Sequence, residues 1–398
     1  MKVFVVNAGS SSLKYQLIDM DTNEVMCKGL CERIGIDGKL THKSANGVLE
    51  NEIPMPAHDA AIRAVLDALT DKTYGCISDL SEISAIGHRV VHGGEEYKSS
   101  TYITPEVMDF LDTLVALAPL HEPANITGIK ACEAVMPGVP QVAVFDTAFH
   151  QTMPEEAYLY GVPYEYYEKY GVRRYGFHGT SHRFVAKRTA EILGKAENEV
   201  NIITCHLGNG SSLACIKDGK VIDTTMGLTP LEGMMMGTRC GNIDPAIVGF
   251  IGEKENLTYA QMDTLMNKKS GLLGVSGISS DFRDVEAAAN EGNHRARVAL
   301  DMFAYQVKKL IGGYVAALGG NVDAIVFTAG VGENSGNTRL GILKGLEGMG
   351  IVVDDASATV RGKEALISTE ESKIKVYIVP TNEELMIALD AKEIVNAL

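Results

Sequence analysis

The chain of 398 residues is too long for one ordinary hydrophobic core and is expected to fold as two domains. Its formal net charge of -15 repels nucleic acid and anionic membranes, so neither is expected as a partner and an anionic substrate must find a local basic pocket. Its seven cysteines, an odd number without paired Cys-x-x-Cys spacing, sit mostly in apolar runs and read as reduced small hydrophobes, indicating neither disulfides nor structural zinc.

Only Lys2 precedes the short apolar run 3–6, far less than a signal-peptide core or a spanning helix needs, and a soluble cytoplasmic protein is expected. The first predicted element is a hairpin: Val5-Val6-Asn7-Ala8-Gly9-Ser10-Ser11-Ser12-Leu13-Lys14 reads as strand, Gly/Ser turn, strand. Periodicity predicts a helix over 59–69, with Ile62, Val65, Leu66 and Leu69 on one face. Residues 84–91 read as a buried strand carrying Arg89 between small residues. Pro105 starts a helix with apolar positions Val107, Phe110, Leu111, Leu114 and Leu117, ended by Pro119. A strand over 142–145 delivers Asp146 at its carboxyl end.

The segment Arg173-Arg174-Tyr175-Gly176-Phe177-His178-Gly179-Thr180-Ser181-His182 is too polar between glycines for an ordinary loop. Thr180 or Ser181 is a candidate N-cap, leaving His178 at a helix start where anions are favoured. The hairpin motif then returns as Thr204-Cys205-His206-Leu207-Gly208-Asn209-Gly210-Ser211-Ser212-Leu213, which suggests an internal duplication. Both turns expose backbone N–H groups and hydroxyls that suit phosphate oxygens. A helix over 294–318, a strand over 324–328, the glycine-rich turn 330–334, a helix, a strand over 376–380 and an amphipathic closing segment 382–398 complete the pattern.

Alternating strands and helices imply an α/β fold with largely parallel sheets, in which ligands gather beyond the carboxyl ends of the strands. Asn7, Arg89, Asp146, His206 and the 330–334 turn all lie there. Arg89 and Arg239, each flanked by small residues, are suited to bidentate bonding of carboxylate or phosphoryl groups, or to a structural ion pair. Asp146 and the pair Glu383-Glu384 are candidate magnesium carboxylates; a capping role competes for one of the pair, and pattern leaves open which.

Eight motifs in order resemble the acetokinase family. They are Asn7 to Lys14, Gly87-His88-Arg89-Val90-Val91-His92-Gly93-Gly94, Ala118-Pro119-Leu120-His121, Phe145-Asp146-Thr147-Ala148-Phe149-His150, Tyr175 to His182, His206 to Ser212, Met236-Gly237-Thr238-Arg239-Cys240-Gly241 and Phe327-Thr328-Ala329-Gly330-Val331-Gly332-Glu333-Asn334; Thr381-Asn382-Glu383-Glu384-Leu385 closes the resemblance. It implies two duplicated ribonuclease-H-like domains, the actin-like ATPase fold, around a central cleft, here 1–149 and 150–383, with the helix at about 384–398 free to pack back on the first. It also implies reversible transfer of the ATP γ-phosphoryl group to acetate, with Mg²⁺, or Mn²⁺ in its place, in a homodimer.

By the same resemblance Asn7, Asp146 and Glu383 correspond to metal positions. Lys14, His206, Leu207, Gly208, Asn209, Gly210, Asp281, Phe282, Arg283, Gly330, Val331, Gly332, Glu333 and Asn334 correspond to nucleotide contacts. Val91, Leu120, Phe177 and Pro230 correspond to a pocket for the acetate methyl group. Arg89, Asp146, His178 and Arg239 are the expected catalytic set, the arginines holding acetate and the migrating phosphoryl and His178 donating to an equatorial oxygen. Two departures stand out: Glu122 where the family usually has asparagine, and Asn242 where it usually has aspartate. A propionate-specific relative and an actin-like or chaperone-like ATPase switch remain the alternatives.

Overall fold

The computed structural model describes residues 1–119 and 121–398, which divide into two compact units. The first comprises Met1–Phe149 and Asn382–Leu398, the second His150–Thr381.

The sheet of the first unit contains β1 (Lys2–Ala8), β2 (Ser12–Asp19), β3 (Glu24–Glu32), β4 (Lys39–Ser44), β5 (Gly47–Glu52), β6 (Ile83–Val90), β7 (Thr101–Tyr102) and β8 (Gln141–Phe145). Their order is β5-β4-β3-β2-β1-β6-β8-β7. β1, β6 and β8 run parallel, whereas β2 to β5 extend the sheet as an antiparallel meander. Every residue of β8 is buried, which is why its sequence reads as an uninterrupted apolar run rather than an alternation. One face of the sheet is covered by the helices His58–Leu69 and Glu122–Val135. The other is covered by the closing helix Glu383–Asn396, whose Ile387, Ala388 and Ala391 pack on Val3, Val5, Ala85, Val142 and Val144. Gly87 permits this approach: a Cβ there would come within 2.6 Å of Ile387 Cγ2.

The second unit repeats the plan with β9 (Ile202–Leu207), β10 (Ser211–Lys217), β11 (Lys220–Thr224), β12 (Ala324–Thr328), β13 (Ala365–Leu366) and β14 (Lys375–Ile378), ordered β11-β10-β9-β12-β14-β13. Again the hairpin strand β9 is the first of three parallel strands, β9, β12 and β14. β1-β2-β3, β6 and β8 therefore correspond to β9-β10-β11, β12 and β14, and the duplicated hairpin motif is the sequence trace of a duplicated topology. The 24-residue helix His294–Ala317 supplies Ala299, Phe303, Val307 and Ile311 to the core beside this sheet.

Three local expectations differ from the structure. The helix after His178 begins at Gly179, so its N-cap is His178 itself, in left-handed geometry at φ 60°, and not Thr180 or Ser181. The 330–334 turn is a short helix, Ala329–Asn334, entered through Ala329 at φ 65°. The helix from Pro105 ends at Leu114, before Pro119.

Candidate active site

In the first unit, the parallel register of β6 and β8 sets Val90 opposite Phe145 and so brings two strand ends together. Arg89 donates from Nε and Nη2 to the two oxygens of buried Asp146, at 3.1 and 2.6 Å. This is the structural ion pair weighed for Arg89, and it uses only one edge of the guanidinium. Asp146, then Glu383 and Glu384, raise the Arg89 pKa and keep it cationic. Arg89, Asn7, Lys14, Glu383 and Glu384 line one small cavity. The Glu383 carboxyl is pushed up to about 7, first by burial, with Asp146 and Glu384 adding to it and Arg89 opposing. Asn382 Oδ1 caps the helix through the Leu385 N–H at 3.0 Å, so neither glutamate is needed as the cap.

The first glycine-serine turn is held from below. Asn125 accepts from the Val91 N–H at 3.0 Å and donates to the Ala8 carbonyl at 2.9 Å, tying the ends of β1 and β6 together. The His58 ring Nε2 lies 2.7 Å from the Gly9 carbonyl. Glu122, one of the two departures, is the first residue of the helix Glu122–Val135 and has no exposed surface. Neither of its oxygens has a hydrogen-bonding partner of good geometry among the described residues. Burial, reinforced by Asp146 and only partly offset by the His92 backbone, pushes its pKa up to about 8. Asn242, the other departure, exchanges two hydrogen bonds with the backbone of Gly233, each 2.8 Å, and holds a loop.

In the second unit, the second turn meets a basic group from two other segments. A Cβ at Gly210 would stand 3.4 Å from Arg239 Nη1 and 3.5 Å from His178 Nε2, so both nitrogens face this turn. Arg239 is half-buried and donates from Nη1 to the Pro230 carbonyl at 3.0 Å, and it has no acidic partner among the described residues. Burial lowers its pKa. The His178 and His206 rings stack with centroids 4.1 Å apart. His206 Nδ1 lies 2.8 Å from Ser181 Oγ, which in turn bonds Thr381 Oγ1.

A cavity of about 560 Å³, within the range of small-molecule sites, opens beside this turn. Of the residues expected to contact the nucleotide, Gly208, Asn209, Asp281, Phe282, Arg283, Gly330, Val331 and Asn334 line it, together with Ser280, Glu286, Ser335 and Arg361. Ser280 and Ser335 directly adjoin the predicted residues Asp281 and Asn334, and Glu286 lies one turn into the helix Phe282–Asn290; only Arg361 comes from a segment without a motif. Asp281 caps the helix Phe282–Asn290 and forks onto Arg283, whose bonds depress its carboxyl to about 2. Three of the proposed nucleotide residues stand behind the lining: Leu207 is buried in the core, Gly332 packs near Cys205, and Glu333 accepts from the Ala329 and Thr381 N–H groups.

Of the methyl-pocket residues, Phe177 and Val91 are buried and Pro230 lies beside Arg239; Leu120 lies outside the described residues. No group of three or more His, Cys, Asp or Glu side chains suited to a metal occurs among the described residues. All seven cysteines are free.

The acetokinase family profile matches residues 2–389. Acetate kinase of Caldanaerobacter subterraneus subsp. tengcongensis is 59% identical over 401 residues, covering 100% of both chains. That of Methanosarcina acetivorans is 58% identical over 396 residues, covering 99% of this chain and 97% of its own. Among solved structures, Porphyromonas gingivalis acetate kinase superposes with TM-score 0.96 at 50% identity over 99% of both chains. A Francisella tularensis propionate kinase does so with TM-score 0.92 at 39% identity, over 98% of this chain and 99% of its own. The two-unit α/β fold is shared with both.

Proposed function

The chain belongs to the acetokinase family, and from that premise we propose that it transfers the γ-phosphoryl group of ATP reversibly to acetate, giving acetyl phosphate and ADP. The observation that carries this reading is the half-buried Arg239 guanidinium, without an acidic partner among the described residues, beside His178 Nε2 at the Gly210 turn. Such a group is built to receive an anion.

A carboxylate acceptor is already ionised at neutral pH, so the reaction needs no strong general base. One acetate oxygen attacks the γ-phosphorus, and the bond to the bridging oxygen breaks with its electron pair leaving on ADP. The obstacle is repulsion between anions. Arg239 and the His178 Nε2–H bond the phosphoryl oxygens as charge builds on them, each preorganised donor accounting for about 10² to 10³ in rate. The cavity beside Asn209 and Phe282 takes the nucleoside, and the backbone of the 208–210 turn takes its phosphates. In the first unit, Arg89 is held by Asp146 with one guanidinium edge left for the acetate carboxylate. Val91 and Leu120 of the first unit and Phe177 and Pro230 of the second correspond to the family's pocket for the methyl group.

Asn7, Asp146 and Glu383 offer only hard oxygen donors, too few for a complete protein cage, which is the donor set of an ion that keeps water and phosphate ligands. The burial that raises the Glu383 pKa also marks a place where added positive charge is favoured. Mg²⁺, or Mn²⁺ in its place, would neutralise phosphate charge there.

No helix among the described residues is long and apolar enough to cross a membrane. A homodimer is supported by Ile247, Phe250, Tyr259, Met302 and Tyr305, all exposed on the second unit. The deciding experiment compares turnover efficiency on acetate, propionate and butyrate. One methylene is worth about 1–3 kcal/mol, so acetate should lead by roughly tenfold or more. A lead for propionate would reassign the acceptor, and ADP formation indifferent to either acid would point instead to an ATPase switch.

A further inference from the structure

Behind His178 runs a line of three hydrogen bonds that the reaction above does not use. His178 Nδ1 lies 2.8 Å from Ser212 Oγ. The same oxygen lies 2.8 Å from His182 Nε2. His182 Nδ1 lies 2.7 Å from Thr204 Oγ1. Ser212, His182 and Thr204 have no exposed surface. His182 and Ser212 fall inside motifs quoted above, yet nothing in the sequence links them across the 30 residues that separate them.

We propose that Thr204, His182 and Ser212 are positioning residues that fix the tautomer of His178, so that its proton stands on Nε2, the nitrogen facing the Gly210 turn. This rests on the reading that His178 donates to the transferring phosphoryl group. The argument is an accounting of protons. Ser212 has one hydroxyl proton and no partners among the described residues other than the two imidazole nitrogens. A buried hydroxyl without an acceptor is costly, so Ser212 donates to one ring and accepts from the other. Burial holds the His182 pKa well below 6.5, with His150 and His206 adding to it, so this ring is neutral and has one donor and one acceptor.

Two directions of the line remain. In one, His178 Nδ1–H donates to Ser212, Ser212 to His182 Nε2, and His182 Nδ1–H to Thr204. The Thr204 hydroxyl proton then has nowhere to go, because its side chain has no other hydrogen bond among the described residues. In the other, Thr204 donates to His182 Nδ1, His182 Nε2–H to Ser212, and Ser212 to His178 Nδ1. Every proton in the line is then satisfied. The second direction leaves neutral His178 with its proton on Nε2. The hydrogen bond at one ring nitrogen sets what the other can do.

Histidine-labelled protein examined by heteronuclear NMR should show neutral His178 protonated on Nε2. Ser212→Ala should give mixed tautomers and lower kcat about tenfold to a hundredfold, with KM for ATP within about twofold. Ser212→Thr should restore both. Thr204→Val, nearly isosteric, removes only the terminal donor and should mix the tautomers as well; it serves if Ser212→Ala does not fold. A wild-type His178 protonated on Nδ1, or a tautomer unchanged in the folded variant, would overturn the proposal. Failure of the underlying reading has a different signature: His178→Ala with undiminished turnover, whatever the NMR shows.

Discussion

Replacing Glu122 by glutamine should stabilise the protein, by an amount that grows with pH. The side chain is fully buried, its oxygens lack partners of good geometry among the described residues, and its pKa rises from the ordinary 4.5 to about 8. Between those two values the folded state holds a proton that the unfolded state has lost, so folding stability falls as pH rises through this window. Each tenfold difference in proton affinity between the two states corresponds to about 1.4 kcal/mol. The handicap is absent below pH 4.5, reaches about 3 kcal/mol at pH 7 and levels off near 5 kcal/mol above pH 8. Glutamine keeps the shape and never ionises. Urea unfolding of both proteins from acid to mildly alkaline pH isolates the effect, because other titrating groups cancel in the difference. Parallel stability curves across this window would refute the argument and mean that the carboxylate is solvated or paired when ionised.

Arg239→Ala should lower kcat by at least about 10² while leaving thermal stability nearly unchanged, since the residue makes no ion pair among the described residues and its removal relieves a buried charge; wild-type turnover would remove it from phosphoryl transfer. Gly237→Ala should raise KM for ATP several-fold, because the new Cβ would overlap Asn209 Oδ1 and displace a residue lining the cavity proposed for the nucleotide; steady-state kinetics with varied ATP checks this. If the exposed Phe250 is buried between subunits, Phe250→Asp should shift sedimentation from dimer to monomer, and an unchanged coefficient would place the interface elsewhere.

What the sequence disclosed follows from what is local. The two hairpins were legible because each is a contiguous strand, turn and strand, and the buried runs 142–145 and 324–328 because strands covered on both faces leave no alternation to misread. The meander β3 to β5 was not read: its strands mix exposed charges with scattered apolar positions, as in Gly47–Glu52. The helices between Ala246 and Asn290 were missed too, Ala246–Glu255 having no buried residue and hence no apolar stripe to detect. At the site, strand ends pointed to Arg89, Asp146 and His206 individually. That Arg89 would grip Asp146, 57 residues away, depends on the register of two parallel strands, which no local pattern encodes. Glu122 was visible as a departure, but its burial was not, because a charged residue at a helix start ordinarily faces water.

The first unit is not contiguous in the chain, and that has a consequence for synthesis. Its sheet is complete once Phe145 has been made, yet Val3, Val5, Ala85, Val142 and Val144 stay uncovered on one face until Ile387, Ala388 and Ala391 leave the ribosome. The second unit, His150–Thr381, is translated in that interval and has all of its own strands. A nascent chain thus carries a sticky, half-finished N-terminal sheet through most of its elongation, a natural client for a holding chaperone. Because Glu383 opens the same late helix, a chain stalled in translation would also lack a carboxylate from the site proposed for the phosphoryl-bound metal.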